Sequence, residues 1–366
     1  MNDPTILAVN GGSSSVKAAL FQDNQRQDFH YAHIGQGEFP DHAAAYRKLI
    51  ADLDGRAVDA VGHRITHGGD VAQPARIIDE RERQRLQTLA PLAPLHQPHN
   101  LLGAALFAQK LSVPQVACFD TAFHSTLPEL AQRLPVPGEL GFKRYGFHGL
   151  AYASVARALP DLLGEVARQR VIVAHLGSGA SLCLLEDLKS VDTSMSLTPL
   201  GGVPMATRSG DLDPGVVLEL VKRHGVDDTA QLLYRKSGLL ELSRGLSADM
   251  QTLLERDTAD SRFAVAYFCR SVSAAIGALA AKAGGVEALV FTGGIGEHSP
   301  AVRAGICAPL AFLGFRLGVE ANNKNKQSIH AAEGKPVLRI RVDEELEIAR
   351  LTGSLLKPAM TTIKLD

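Results

Sequence analysis

Apolar positions along the chain fall into short β-prone runs broken by glycine-serine turns, with longer amphipathic stretches between them. Residues 5–9 form one such run, and it leads through VNGGSSSVKAALF (residues 9–21) into a second. Residues 170–174 do the same through HLGSGASLCLLED (residues 175–187). Glycine admits backbone conformations closed to other residues, and small side chains leave amide N–H groups free to meet an anion. Two such hairpins about half a chain apart predict two related lobes, each presenting one loop to a polyphosphate. No G-x-x-x-x-G-K-[ST] occurs, so a Walker-type phosphate loop is excluded.

The same patterning predicts a helix over 42–53, a buried strand over 58–64 ending in HRITHGGD, and a loop over 89–100 imposed by Pro91, Pro94 and Pro98. Asn100 is expected to cap a helix running to about Leu111, followed by a strand over 114–120 that enters DTAFHSTLP. Residues 22–41 read as a polar connector and 125–147 as a crossover between lobes. In the second lobe, a helix is expected over 151–159. A longer one over 260–283 places Val265, Phe268, Val272, Ala275, Ile276 and Leu279 on one face, and Gly284-Gly285 stops it. The strand Ala288–Thr292 runs into GGIGE, and a last amphipathic helix starts near Asp343. This alternation indicates an α/β protein.

Composition narrows the class. At 366 residues, with 45% hydrophobic and 21% charged positions, the chain has room for two domains with separate cores. A formal net charge of −1 argues against nucleic-acid or anionic-membrane binding. The start, Met1-Asn2-Asp3-Pro4, lacks the layout of a secretion signal, and the apolar segment 271–283 is too short to span a bilayer. Cys118, Cys183, Cys269 and Cys307 are scattered, so neither a disulfide framework nor a zinc site is indicated, and a cytoplasmic setting is the expectation.

Ser13, Ser15 and Lys17 alternate out of the first turn and could share a ligand-facing side with Asn10; hydroxyls and an ammonium suit phosphate oxygens. Arg64 ends a buried strand and Arg208 sits in ATRSGDLDP. Each could grip a carboxylate or phosphate at two points, or pair with Asp70, Asp211 or Asp213. His96, His148 and His175 lie in short glycine- or proline-flanked loops, where a histidine is more often structural than catalytic. Asp120 directly follows a strand, and Glu344 opens the last helix. Either could hold Mg²⁺ through water or act as a cap, and capping is the expectation for Asp343. No HExxH or carboxylate-histidine cluster suggests a tightly bound transition metal.

Nine segments together resemble the acetate kinase family, within the superfamily of sugar kinases, actin and heat-shock ATPases. They are VNGGSSSVK, GHRITHGGD, LAPLHQPHN, FDTAFHSTLP, KRYGFHGLAY, HLGSGASL, KSVDTSMSLTPLGGVPMATRSGDLDPG, FTGGIGEHS and DEELEIA, in the family's order from residue 9 to residue 349. The resemblance implies an α/β fold of two duplicated ribonuclease-H-like (actin-like ATPase) domains with a central cleft. Residues 1–124 plus 347–366 would form the N-terminal lobe and residues 125–346 the C-terminal lobe, which would carry the interface of a homodimer. It implies reversible, Mg²⁺- (or Mn²⁺-) dependent transfer of the ATP γ-phosphoryl group to acetate, giving acetyl phosphate and ADP.

By the same resemblance, Asn10 and Glu344 match metal-associated positions, and Ser13, Ser15 and Lys17 match phosphate-contacting ones. Arg64 matches the arginine on the substrate carboxylate, with Leu95 shaping the methyl pocket. Asp120 matches the residue described as catalytic acid/base, while His148 and Arg208 match groups that stabilise the transition state. His175, Leu176, Gly177, Ser178 and Gly179 resemble the second phosphate loop. Asp249, Met250 and Gln251, with Gly294, Ile295, Gly296, Glu297 and His298, resemble the nucleoside site. Ser178 and His298 stand where asparagines are usual, Gln251 where an arginine is, and Gly11 where Cys or Ala is; the first three predict retuned nucleotide selectivity. A short carboxylate is already ionised at neutral pH and needs no base. Asp120 is therefore expected to orient the metal or its water. The alternatives are a propionate or butyrate kinase and a sugar or polyol kinase, whose hydroxyl acceptor would require Asp120 as base.

Overall fold

The computed structural model describes residues 4–356 except positions 24 and 36. Residues 1–3, part of the segment compared with a secretion signal, and the tail 357–366, assigned above to the first lobe, lie outside the described residues. The chain divides into two compact units, Met1–Phe123 with Asp343–Asp366, and His124–Val342.

The first unit is built on β1 (Ile6–Gly11), β2 (Val16–Gln22), β3 (Gln25–Tyr31), β4 (Ala60–Ile65), β5 (Ala75–Ile77) and β6 (Gln115–Phe119), in the order β3-β2-β1-β4-β6-β5. Strands β1–β3 form an antiparallel meander, and β4 and β6 run parallel to β1. All six positions of β1 are buried because helices cover both faces. His42–Asp52 and Gln97–Lys110 lie on one side, Glu344–Leu356 on the other. The parallel register sets Val9 beside His63 and Arg64 beside Cys118. Asn10 and Arg64 therefore reach the carboxyl ends of β1 and β4, and Asp120 follows the end of β6, where open α/β sheets bind ligands.

The second unit repeats the plan. Strands β7 (Val171–Leu176), β8 (Ala180–Glu186) and β9 (Lys189–Thr193) form an antiparallel meander. β10 (Ala288–Thr292) and β11 (Val337–Arg339) extend it in parallel on the β7 side, giving β11-β10-β7-β8-β9. This is the first sheet's plan without its extra edge strand: a ribonuclease-H-like duplication, with a glycine-serine hairpin at the end of each first strand.

Several local expectations change. The connector 22–41 holds β3, an edge strand whose side chains are mostly exposed, so no apolar alternation marks it. The helix after the proline-rich loop begins at Gln97, with Pro98 in its first turn where a missing N–H costs nothing. Asn100 is thus inside the helix and buried, not a cap. The helix that takes in 271–282 is Ala259–Lys282, which Ala283 caps; its 24 residues make it long and apolar enough to cross a membrane by length and composition. Its Phe268, Val272, Ile276 and Leu279 belong to the core of the second unit, beside β7 and β8.

Candidate active site

Each unit gathers its own set of polar side chains. In the first unit, Asn10 Nδ2 donates to Glu344 Oε2 (2.7 Å) and to Glu345 Oε1 (3.0 Å). Arg64 Nη1 donates to Asn10 Oδ1 (3.3 Å), and its Nε and Nη2 both meet Asp120 Oδ2, at 2.9 and 2.7 Å. Arg64 therefore pairs with Asp120, not with Asp70. Burial by itself would lower the basicity of this guanidinium, but Asp120, Glu344 and Glu345 outweigh it and raise its pKa. Of the five guanidinium N–H groups, these contacts occupy three, leaving one on each terminal nitrogen: a two-point grip for a carboxylate. Lys17 lies across from Asn10 in the β1–β2 register, and its charge acts on Glu345. Ser13 is exposed at the tip, Ser15 closes the turn through Gly12 N–H to Ser15 O (2.8 Å), and Leu95 is half-buried before the Gln97–Lys110 helix.

The hairpin is anchored by residues that the sequence pattern did not mark. Asn100 Nδ2 donates to Gly11 O (2.9 Å), and the buried His42 ring lies 2.8 Å from Gly12 O through Nε2. Gly11 itself has a steric reason: a Cβ there would sit 2.3 Å from the Tyr46 hydroxyl. Glu345 was also missed, although the acidic run DEE held the signal. Burial first, and then the neighbouring charge of Glu344, raise its pKa. Asp343 caps the last helix as expected, accepting from Leu346 N–H (2.9 Å).

Among the described residues, no group of three or more His, Cys, Asp and Glu could hold a metal ion. That suits Mg²⁺, which keeps several waters and needs only one or two carboxylates plus phosphate oxygens. The hard oxygens of Glu344 and Glu345 beside Asn10 fit such an ion. The raised pKa of Glu345, set by burial first and by the charge of Glu344 second, marks a carboxylate whose charged form a cation would favour.

In the second unit, the β7–β8 hairpin turns at Gly177–Gly179, with Gly177 N–H bonded to Gly179 O (2.9 Å). An added Cβ on Gly179 would lie 2.8 Å from Arg208 Nη2 and 3.1 Å from His148 Nε2. Two side-chain nitrogens thus converge on the hairpin where any larger side chain would displace them. Arg208 is buried, and its Nη1 donates to Pro199 O (2.7 Å). Its loop is tied to the hairpin by Ala206 N–H to Ser178 O (3.2 Å). Neither Asp211 nor Asp213 serves as its ion-pair partner: Asp211 accepts from Gly202 N–H (2.7 Å) and Asp213 from Gly215 N–H (2.9 Å). The rings of His148 and His175 lie 4.6 Å apart.

The GGIGE segment joins this cluster. A Cβ on Gly293 would lie 2.7 Å from Leu176 O, and one on Gly177 would lie 3.9 Å from Gly294 N. Gly294, Ile295 and His298 are at least partly exposed on the short helix Gly293–His298. Glu297 turns inward, where Oε1 accepts from Gly293 N–H (3.1 Å) and Val342 N–H (3.4 Å). Asp249 caps the helix Met250–Arg256 through Thr252 N–H (2.8 Å), Met250 is buried in the core, and Gln251 bonds Glu255 (2.8 Å).

Comparison with known proteins shows what this arrangement accompanies. A sequence model of the acetokinase family matches residues 31–350. An acetate kinase from Rhodopseudomonas palustris is 45% identical over 387 aligned positions, covering 94% of this chain and 96% of that one. Among solved structures, the acetate kinase of Porphyromonas gingivalis superposes with a TM-score of 0.84 at 31% identity, covering 97% of this chain and all of that one. A propionate kinase from Francisella tularensis gives 0.86 at 31% identity, covering 95% and 98%.

Proposed function

The chain belongs to the acetokinase family, kinases that phosphorylate a carboxylate, and on that premise we propose that it moves the γ-phosphoryl group of ATP reversibly onto acetate, giving acetyl phosphate and ADP. The observation that carries the choice of acceptor is Arg64. It is a buried cation locked by Asp120 and Asn10, with one N–H left on each terminal nitrogen for a small carboxylate.

Phosphoryl transfer to a carboxylate brings two anions together, so the protein must align them and offset their charge. Arg64 holds the acceptor. Arg208 neutralises the transferring group, and His148, converging with it on Gly179, donates a hydrogen bond to that group. The hairpin at Ser13, Ser15 and Lys17 and the one at His175–Gly179 receive phosphate oxygens through backbone and hydroxyl donors. When bound, Mg²⁺ supplies charge neutralisation across the phosphates; Glu344 and Asn10, with Glu345, would hold it through water. Asp120 acts by fixing Arg64, not as a base, because the acceptor arrives ionised. Gly294, Ile295 and His298 receive the nucleoside, with the buried Gly296 behind them. Asp249, Met250, Gln251 and Glu297 contribute through the backbone they hold in place.

Hydroxylamine trapping tests the proposal: acetate with MgATP yields a hydroxamate, whereas glycerol or a sugar yields none. Hydroxamate formation from no short fatty acid would refute it. Propionate is the second reading, favoured by the Francisella tularensis propionate kinase above. One methylene is worth about 1–3 kcal/mol, so competition between the two acids decides. The four free, buried cysteines support a reducing, cytoplasmic setting. Exposed Phe263, Tyr267 and Phe312 beside an apolar groove of about 760 Å³ support a homodimer through the second unit, which sedimentation of Phe312→Glu against wild type would check.

A further inference from the structure

Building on the proposed role of His148 at the transferring phosphoryl group, we infer that Ser181 and Tyr152 form a two-hydroxyl relay that fixes His148 as an Nε2–H donor. Neither residue reaches substrate; both are positioning residues for the imidazole.

His148 occupies a demanding place. It has left-handed backbone angles (φ 58°) immediately before the helix Gly149–Leu163, and no side-chain capping bond holds it. The chain just before it is pinned from behind. His124 lies 2.9 Å from Phe147 O through Nε2 and 2.8 Å from Ser190 Oγ through Nδ1. A carbonyl can only accept, so His124 carries its proton on Nε2 and donates there. Burial pushes the pKa of His124 down to about 4, which keeps that ring neutral.

The imidazole of His148 is then held by its other edge. Its Nδ1 lies 2.8 Å from Ser181 Oγ, and Ser181 Oγ lies 2.5 Å from the Tyr152 hydroxyl. Ser181 and Tyr152 are both fully buried. Tyr152 comes four residues after His148, and its N–H donates to His148 O (3.0 Å), so one helical turn brings both side chains to the same face. Ser181 is carried on β8, directly after the Gly179 turn that His148 Nε2 and Arg208 Nη2 approach.

Proton order follows from donor strength. A phenol, with a pKa of about 10, is a better donor than an aliphatic hydroxyl. Tyr152 therefore donates to Ser181, and Ser181 donates to His148 Nδ1. An imidazole that accepts at Nδ1 carries its hydrogen on Nε2, the atom at the Gly179 turn beside Arg208. A carboxylate behind the ring would instead stabilise its cation, as in a serine-protease triad. A hydroxyl chain chooses the tautomer without adding charge to a site that must already accommodate two anions.

The test uses the full-length enzyme in four variants: Ser181→Ala, Tyr152→Phe, the double variant and His148→Ala. Ser181→Ala is expected to lower kcat roughly 10- to 100-fold, the scale of a misoriented group, with both KM values unchanged. Tyr152→Phe should lower kcat less. The double variant should be no worse than Ser181→Ala, because the two hydroxyls act in series. In ¹⁵N-histidine NMR spectra, the His148 resonance, identified by its loss in His148→Ala, should report the Nε2–H tautomer in wild type and a tautomer mixture in Ser181→Ala. Wild-type kcat in Ser181→Ala and Tyr152→Phe, with His148→Ala impaired, would overturn the relay and leave the role of His148 standing. Wild-type kcat in His148→Ala would overturn that role and the relay with it. Parallel losses of kcat, KM and melting temperature with an unchanged tautomer would show only a structural bond and also overturn it. If Ser181→Ala fails to fold, Tyr152→Phe decides by the same readouts.

Discussion

Replacing Arg64 by alanine separates two roles of one side chain, and the structure predicts the size of each. The Arg64 side chain is 11% exposed and that of Asp120 1%, so the substitution leaves a buried carboxylate without its cation. Glu344 and Glu345 lose the same compensating charge. Breaking a buried pair from one side costs about 3–5 kcal/mol. At roughly 2–4 °C per kcal/mol, the first unit should melt about 6–20 °C lower. The acceptor site loses two charge-assisted hydrogen bonds, worth about 1.5–3 kcal/mol each. With tenfold for every 1.4 kcal/mol, the KM for acetate should rise roughly 10²- to 10⁴-fold, while that for ATP stays near wild type.

The pair Arg64→Ala/Asp120→Asn tells the two effects apart. Removing the stranded charge should recover most of the melting temperature and none of the acetate affinity. Calorimetry and hydroxamate kinetics on the single and double variants measure both. Equal rises in the two KM values, or recovery of acetate affinity in the double variant, would refute the assignment of Arg64 to the acceptor.

Arg208→Ala should lower kcat by roughly 10³-fold or more, as expected for an arginine on a phosphoryl transition state, with the KM for acetate little changed; steady-state rates check this. Gly11→Ala should lower stability by about 1–3 kcal/mol through overpacking against the Tyr46 hydroxyl. Adding Tyr46→Phe should restore most of it, because the neighbours left to the new methyl are Asn100 Nδ2 at 3.2 Å and the ring carbon Cζ at 3.5 Å; denaturant melts decide. His63 and His124 are both held near a pKa of about 4 by burial, below the ordinary value of 6.5. For a depressed folded-state pKa, the unfolded chain takes up the proton first. Stability is therefore complete above pH 6.5 and falls as the pH drops towards 4, on the order of 3 kcal/mol for each group. Melting temperatures across that range should fall more gently for His63→Gln than for wild type.

Much of the fold was legible because glycine, serine and β-prone runs can be read locally: both hairpins form where the pattern put them, with Asn10 and Lys17 on one and His175 and Gly179 on the other. What escaped depended on contacts distant in sequence. Asn100 looked like a helix cap because its neighbours are prolines, yet its amide reaches back 89 positions to Gly11. Ion-pair partners were sought near Arg64 in sequence, where Asp70 is the obvious choice. Parallel strand register brought Asp120 to it instead. Edge strand β3 left no pattern because neither face of it is well covered. His298 and Gln251 were read as retuned nucleotide contacts. Gln251 bonds Glu255 on its own helix, so its effect on nucleotide choice would act through that helix, and His298 Nε2 lies 3.9 Å from Glu297 Oε2.

An aspartate following a strand is ambiguous in kinases: it serves as the base when the acceptor is an alcohol, and that work does not exist when the acceptor is a carboxylate. What Asp120 holds favours the second case. Its Oδ2 takes both the Nε and one Nη of Arg64 along a single edge of the guanidinium, while Asn10 takes a hydrogen from the other terminal nitrogen. A guanidinium bound along that edge keeps one N–H on each terminal nitrogen, a pair able to meet two carboxylate oxygens. An alcohol offers only one oxygen to that pair and would leave a buried donor unsatisfied, at about 1–3 kcal/mol. On the proposed reading, the same aspartate that would activate a sugar hydroxyl would serve, once paired with Arg64, to select against one.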